Sequence, residues 1–146
     1  MNEPAAVYID PAALAAIDAH ARAELPLECC GLLVGVADGV LRVVRAVAAR
    51  NVADQPKRRY LIDPREHFRL QRELRGARGS GPLTIVGVYH SHPVSRPAPS
   101  PTDLAEALPH FLYVIASPRG EPERSETRAW WLVDGNFQEI PLVIGS

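Results

Sequence analysis

No apolar run in this chain of 146 residues approaches the roughly 20 residues that a membrane-spanning helix needs. The opening residues, Met1-Asn2-Glu3-Pro4, lack the basic stretch and apolar core of a secretory leader. A cytoplasmic protein with no membrane partner is therefore expected. Excess charge is missing too. Sixteen Lys and Arg against 17 Asp and Glu leave a formal net charge of −1, which gives no global pull toward nucleic acid. There is no repeat, coiled coil, Gly-rich phosphate loop or low-complexity tract. Cysteine is scarce, and its two copies, Cys29 and Cys30, are adjacent. Neighbouring side chains on an extended segment point apart, so the pair suits neither a disulfide nor joint ligation of one metal. Both are expected to be buried strand residues in a reducing compartment.

What is present is ordinary for a globular protein. The chain is 47% hydrophobic and 23% charged, and its length fits one domain, residues 1–146, with a real core.

Residues 6–9 read as a short edge strand. Asp10-Pro11 starts a helix, with Asp10 as N-cap and Pro11 at the first position. Leu14, Ile17, Ala21 and Leu25 form its apolar stripe, Pro26 ends it, and His20 lies off the stripe toward solvent. Cys30–Val36 and Val40–Ala49 read as strands joined by an Asp38-Gly39 turn. After a loop over 51–56, Lys57-Arg58-Arg59 forms a basic cluster, either a solvated face or a contact for an acidic partner. It precedes a strand at Tyr60-Leu61-Ile62. Asp63-Pro64-Arg65-Glu66 starts a second helix with a capping-box-like acid. That helix runs to about Arg75 and ends in the Gly-rich segment 76–81. His67 shares a side with Leu70 and Leu74, as a packed or rim residue. Arg69, Arg72, Arg75 and Arg78 put charge on the helix and its exit. Pro101–Leu108 reads as a third helix, 111–116 as a buried strand and 117–123 as a polar turn. Residues 126–133 and 136–143 form a last hairpin about Asp134-Gly135. Trp130 and Trp131 alternate across it, so one of them faces the core. Hairpins mixed with helices imply a mixed sheet, not a purely parallel one.

Chemistry concentrates after the apolar run Leu83–Tyr89, which has the β-branched content of a buried strand. If that strand continues to residue 92, His90 and His92 point to one face. Two imidazoles on a rigid strand suit zinc, and Asp103 offers an anionic third ligand after a Pro-rich loop. Three protein ligands leave one position open, the arrangement of a catalytic site. Each part also fits plainer roles. A His-x-His pair can be ordinary strand chemistry, and Ser100-Pro101-Thr102-Asp103 is a good helix start. The helix-start and ligand readings of Asp103 are compatible, because a carboxylate has two oxygens.

Glu28 stands before Cys30-Gly31-Leu32-Leu33-Val34-Gly35. Together with His90-Ser91-His92-Pro93 and Ser100-Pro101-Thr102-Asp103 it resembles the pattern of the JAMM (MPN-plus) metalloproteases: an upstream Glu beside Cys-Gly-x-x-x-Gly, His-x-His-Pro, then Ser-x-x-Asp. The resemblance extends in outline over nearly the whole chain. It implies an α/β (α+β) fold, a curved mixed sheet flanked by helices in the JAMM/MPN, cytidine-deaminase-like architecture. It implies one zinc ion per chain on His90, His92 and Asp103, with Glu28 as general base and Ser100 as hydrogen-bond donor to the oxyanion. The implied reaction is cleavage after the C-terminal Gly-Gly of a ubiquitin-like or sulfur-carrier protein, by a monomer or homodimer. The rival is a non-catalytic scaffold of the same fold, but such members lack the His and Asp ligands. A zinc deaminase would need a Pro-Cys-x-x-Cys pair, which is absent.

Overall fold

A computed structural model describes residues 3–76, 81, 83–120 and 123–145. Its elements are β1 (Val7–Ile9), α1 (Pro11–Ala23), β2 (Cys30–Ala37), β3 (Leu41–Ala49), α2 (Pro64–Gly76), β4 (Thr84–Ser91), α3 (Pro101–Ala105), β5 (Leu112–Ser117), β6 (Glu126–Val133), β7 (Asn136–Ile140) and β8 (Leu142–Ile144). The eight strands make one sheet in the order β7-β6-β5-β4-β2-β3-β1-β8. The β1–β3, β1–β8 and β4–β5 pairs are parallel and the rest antiparallel, so the expected mixed sheet is what forms. No helix among the described residues is long and apolar enough to cross a membrane.

The sheet buries both faces. On one, α1 packs Ala13, Ile17 and Ala21 against Val7, Ile9, Leu33, Tyr89, Val114 and Trp131. On the other, α2 packs Leu70 against Leu32, Val34, Val88 and Tyr113. Strand alternation sorts neighbouring residues between the layers, Leu32 to one and Leu33 to the other. Trp131 is core, as one of the two tryptophans must be, while Trp130 is half-buried on the opposite face and donates its indole N–H to the Pro97 carbonyl at 3.0 Å.

The glycines of the Cys-Gly-x-x-x-Gly run are explained by crowding. A Cβ on Gly31 would lie 2.2 Å from the Tyr89 ring, and one on Gly35 would lie 1.8 Å from the Arg42 carbonyl oxygen. Both positions need the missing side chain for β2 to lie between β3 and β4.

Several expectations from the sequence are corrected. β1 is not an edge strand: it lies between β3 and β8. The last strand breaks at Pro141, where the lost N–H and fixed φ end pairing with β6. Residues 142–144 then pair with β1 at the far end of the strand order. Tyr60-Leu61-Ile62 forms no strand beyond a single bridge between Asn51 and Ile62. α3 ends at Ala105, not Leu108, with Glu106 as its C-cap. Leu25 is exposed, and Ala13 replaces it in the α1 stripe. His20 is not solvated. It turns toward the sheet, and its Nδ1 lies 2.8 Å from the Tyr89 hydroxyl. Glu66 does not complete a capping box on Asp63; it accepts from the Arg50 N–H at 3.1 Å instead. Arg59 leaves the basic cluster to pair with Glu106 at 2.8 Å. The segment after Gly76, with Arg78, lies largely outside the described residues, as do residues 121 and 122 of the polar turn.

Candidate metal centre and catalytic carboxylate

The centre of the sheet positions the site. In the β2–β4 ladder Cys30 is paired with His90. Past the last ladder pair, Ser91 and Cys29 remain bonded: Ser91 N–H donates to the Cys29 carbonyl at 3.1 Å, and Cys29 N–H donates to the Ser91 hydroxyl at 2.8 Å. His92 keeps a strand-like bond on its other side, its N–H reaching the Ala116 carbonyl at 2.9 Å. His90 and His92 thus share one face, while Ser91 is turned away and used as a fastener.

Asp103 arrives from α3. Ser100 caps that helix: its hydroxyl accepts from Asp103 N–H at 3.1 Å, and Asp103 Oδ2 accepts from Ser100 N–H at 2.8 Å. This reciprocal box fixes the carboxylate rotamer. The helix start is observed, and while Asp103 Oδ2 serves the cap, Oδ1 faces His90.

The His90 and His92 Nε2 atoms are 3.2 Å apart, His92 Nε2 is 3.2 Å from Asp103 Oδ2, and His90 Nε2 is 3.4 Å from Asp103 Oδ1. Ligands about 2.05 Å from a tetrahedral zinc lie about 3.3 Å from one another. The three side chains are therefore spaced as zinc ligands would be. Their chemistry agrees: His92 Nδ1 is 2.9 Å from the Arg96 carbonyl. A proton on Nδ1 leaves Nε2 with a free lone pair for a metal.

Burial drives the electrostatics. His90 is buried and held below the usual imidazole range by that burial. For His92, burial acts downward but is outweighed by Asp103 and the Arg96 carbonyl, so it is shifted up. Burial would raise Asp103, yet hydrogen bonds to His90 and His92 hold it well below the ordinary carboxylate range. Glu28 is 6% exposed, and burial pushes its carboxyl up to about 7, with His92 pulling down and Asp103 pushing up. Its Oε1 is buried with no hydrogen-bond partner among the described residues. A buried carboxyl oxygen left bare beside three side chains that could hold a metal is a candidate proton acceptor.

The structure therefore brings Glu28, His90, His92, Ser100 and Asp103 to one end of β2 and β4. Cys29 and Cys30 lie beside them, buried and unpaired as disulfides, their thiols pushed up by burial to about 11 and about 12. Among the described residues they do not belong to the group of side chains that could hold a metal, His90, His92 and Asp103. Three contributors escaped sequence reasoning. Tyr60 stacks on His90 with ring centroids 4.4 Å apart. Ser91 fastens β2 to β4. Asn51 holds the Glu28 carbonyl. Tyr60 and Asn51 lie in no motif and Ser91 fills the variable position of His-x-His, because each acts on a residue distant in the chain.

A mixed sheet with a His-His-Asp donor set at the end of its central strand, and a buried glutamate beside it, defines the JAMM class of metallopeptidase domain. The family of prokaryotic homologs of the JAB domain matches residues 10–133, and the chain belongs to it. A Haloferax volcanii desampylase is 35% identical over 130 residues, covering 86% of each chain. A CysO-cysteine peptidase of Mycobacterium tuberculosis is 36% identical over 128 residues, covering 87% of this chain and 83% of that one. The solution structure of a Desulfitobacterium hafniense protein matches with a TM-score of 0.82 at 26% identity, over 96% of this chain and 93% of the other.

Proposed function

We propose that this chain is a zinc-dependent peptidase that cuts the amide bond after the C-terminal Gly-Gly of a ubiquitin-like or sulfur-carrier protein. The observation that carries the reading is the zinc-sized triangle of His90, His92 and Asp103 with the unpartnered Glu28 carboxyl beside it. The relatives named as a desampylase and a CysO-cysteine peptidase support the substrate class. Retention of every donor argues against a scaffold.

In this reading His90, His92 and Asp103 hold one zinc ion per chain. When bound, zinc supplies Lewis acidity and a water acidic enough to attack near neutral pH. Glu28 takes the proton of the attacking water at its carboxylate and hands it to the departing amine nitrogen. The Ser100 hydroxyl accepts from Asp103 N–H, which leaves its own hydrogen free to donate to the carbonyl oxygen of the scissile bond. The domain works in the cytoplasm as a monomer or homodimer.

The test is incubation with ubiquitin-like sulfur carriers extended beyond Gly-Gly, read by intact mass. Release of the extension at the Gly-Gly boundary, abolished by chelation, is expected. Tight binding with no cleavage in the zinc-loaded protein would overturn the reading in favour of a scaffold.

A further inference from the structure

The Asn51 side chain makes four hydrogen bonds, one of them to the main-chain carbonyl of Glu28. Its Nδ2 donates to the carbonyls of Glu28 and Arg59, both at 3.0 Å. Its Oδ1 accepts from the N–H groups of Ala53 at 3.0 Å and Leu61 at 3.1 Å. The orientation of the amide is unambiguous, because two carbonyls face one end and two N–H groups the other. The capacity of the carboxamide is filled.

The partners are what give this arrangement meaning. Residues 53–61 form no strand or helix, so this segment has no ladder to hold it. Asn51 closes it at both ends, at Ala53 and at Arg59 and Leu61. The closed segment then grips Glu28 a second time, since Glu28 N–H donates to the Pro56 carbonyl at 2.8 Å. Both main-chain polar groups of Glu28 are thereby fixed by Asn51 and the loop it shapes. Between Arg59 and Leu61 stands Tyr60, stacked on His90. One half-buried side chain thus sets the main chain that carries the glutamate and the aromatic ring that backs the first histidine.

We propose that Asn51 is a positioning residue for the reaction: its carboxamide locks the 53–61 segment around Glu28 and so fixes the carboxylate relative to His92 and Asp103. Asn51 touches neither the donor atoms nor the substrate bond, and its effect on rate passes through Glu28. A carboxylate whose hydrogen-bond reach is about 3 Å loses much of its value when its main chain shifts by even 1 Å.

This inference rests on the peptidase reading, and its first measurement needs no turnover. Amide hydrogen exchange in the zinc-loaded protein is compared for wild type, Asn51→Ala and Asn51→Asp. In Asn51→Ala, exchange at Glu28, Ala53 and Leu61 should rise about 10-fold or more, with strand amides of β4 and β5 unchanged. Asn51→Asp keeps the acceptor toward Ala53 and Leu61 and loses both donated bonds, so it isolates the Glu28 side if the alanine variant folds poorly. Unchanged exchange at all three amides in either folded variant overturns the proposal. The second measurement is a double-mutant cycle with Glu28→Gln, on a ubiquitin-like sulfur carrier bearing a short peptide after Gly-Gly. Asn51→Ala should lower kcat about 100-fold with KM and zinc content held. The same substitution in the Glu28→Gln background should change kcat less than about 3-fold. Equal fold-losses in both backgrounds would mean that Asn51 acts on the fold at large, and would also overturn the proposal. If wild type cleaves nothing, the peptidase reading fails, while hydrogen exchange still decides whether Asn51 holds Glu28.

Discussion

Cys30 pairs with His90 across the β2–β4 ladder, and from that pair the two chains run on to Glu28 and His92, whose charges act on one another. Glu28 and the His-x-His pair lie far apart in sequence, yet a slip of one residue would turn Glu28 to the opposite face. The Ser91–Cys29 bonds pin that register at the point where the ladder ends. The first consequences concern the metal.

Elemental analysis of the purified protein should find about one zinc per chain, and His90→Ala or Asp103→Ala should remove it. Loss of zinc should also lower the melting temperature, because a ligand bound only to the folded state stabilises it. Cys29→Ser should leave zinc content unchanged, since neither thiol belongs to the donor cluster. Stoichiometric zinc loss in Cys29→Ser without unfolding would refute the ligand set.

Glu28→Gln keeps the shape of the side chain but cannot take up the proton. Zinc content should match wild type, and kcat should fall by about 100-fold or more. Equal rates for the two proteins in the same assay would remove Glu28 from the mechanism.

Glu28 also makes a prediction for the metal-free protein. Its carboxyl is raised from an ordinary 4.5 to about 7 by burial. Between those values the folded state holds a proton that the unfolded state has released. Stability contributed by this group should therefore be full at low pH, fall as pH rises through that window, and level off above it. Denaturant titration of metal-free wild type and Glu28→Gln at a series of pH values should show the decline in the difference between the two, because His90, held down by burial, titrates with the opposite sign in the same range. An identical slope in the variant would contradict the buried-acid assignment.

Ser100→Ala removes the acceptor that caps Asp103 N–H and the hydroxyl assigned to the oxyanion. A stability loss of about 1 kcal/mol is expected from the cap, with a lower kcat from the missing donor. Thermal unfolding and turnover measured on the same preparation separate the two. A variant that loses stability but keeps full turnover would leave Ser100 as a cap alone.

Much of the site could be read from the chain because its chemistry needs fixed spacings. A two-residue step from His90 to His92 puts both imidazoles on one face, and three residues from Ser100 to Asp103 make a capping box. Glu28 was legible only through the resemblance, since an acid before a strand is otherwise unremarkable. Local turn chemistry gave the β6–β7 hairpin, where Asp134 and Gly135 both adopt positive φ. What could not be read was decided by contacts between distant segments. His20 lies off the α1 stripe, yet the Tyr89 hydroxyl beneath draws it inward. Tyr60-Leu61-Ile62 has the composition of a strand, but Asn51 holds it as a loop. Pro141 marks a break, but nothing local says that the next three residues belong beside β1.

That break shapes the outer rim of the molecule. Ile140 ends β7 and Leu142 begins β8, so one proline joins strands at opposite ends of the order. Consecutive Cα atoms lie about 3.8 Å apart, and the sheet must curl until its two margins nearly touch. Val7 N–H fastens the corner through the Pro141 carbonyl at 2.9 Å. The free margins that remain are β7 and the three-residue β8, too short to template a foreign strand well. A protein whose proposed substrates arrive as extended tails thus exposes little backbone on which such tails could pair in the wrong place.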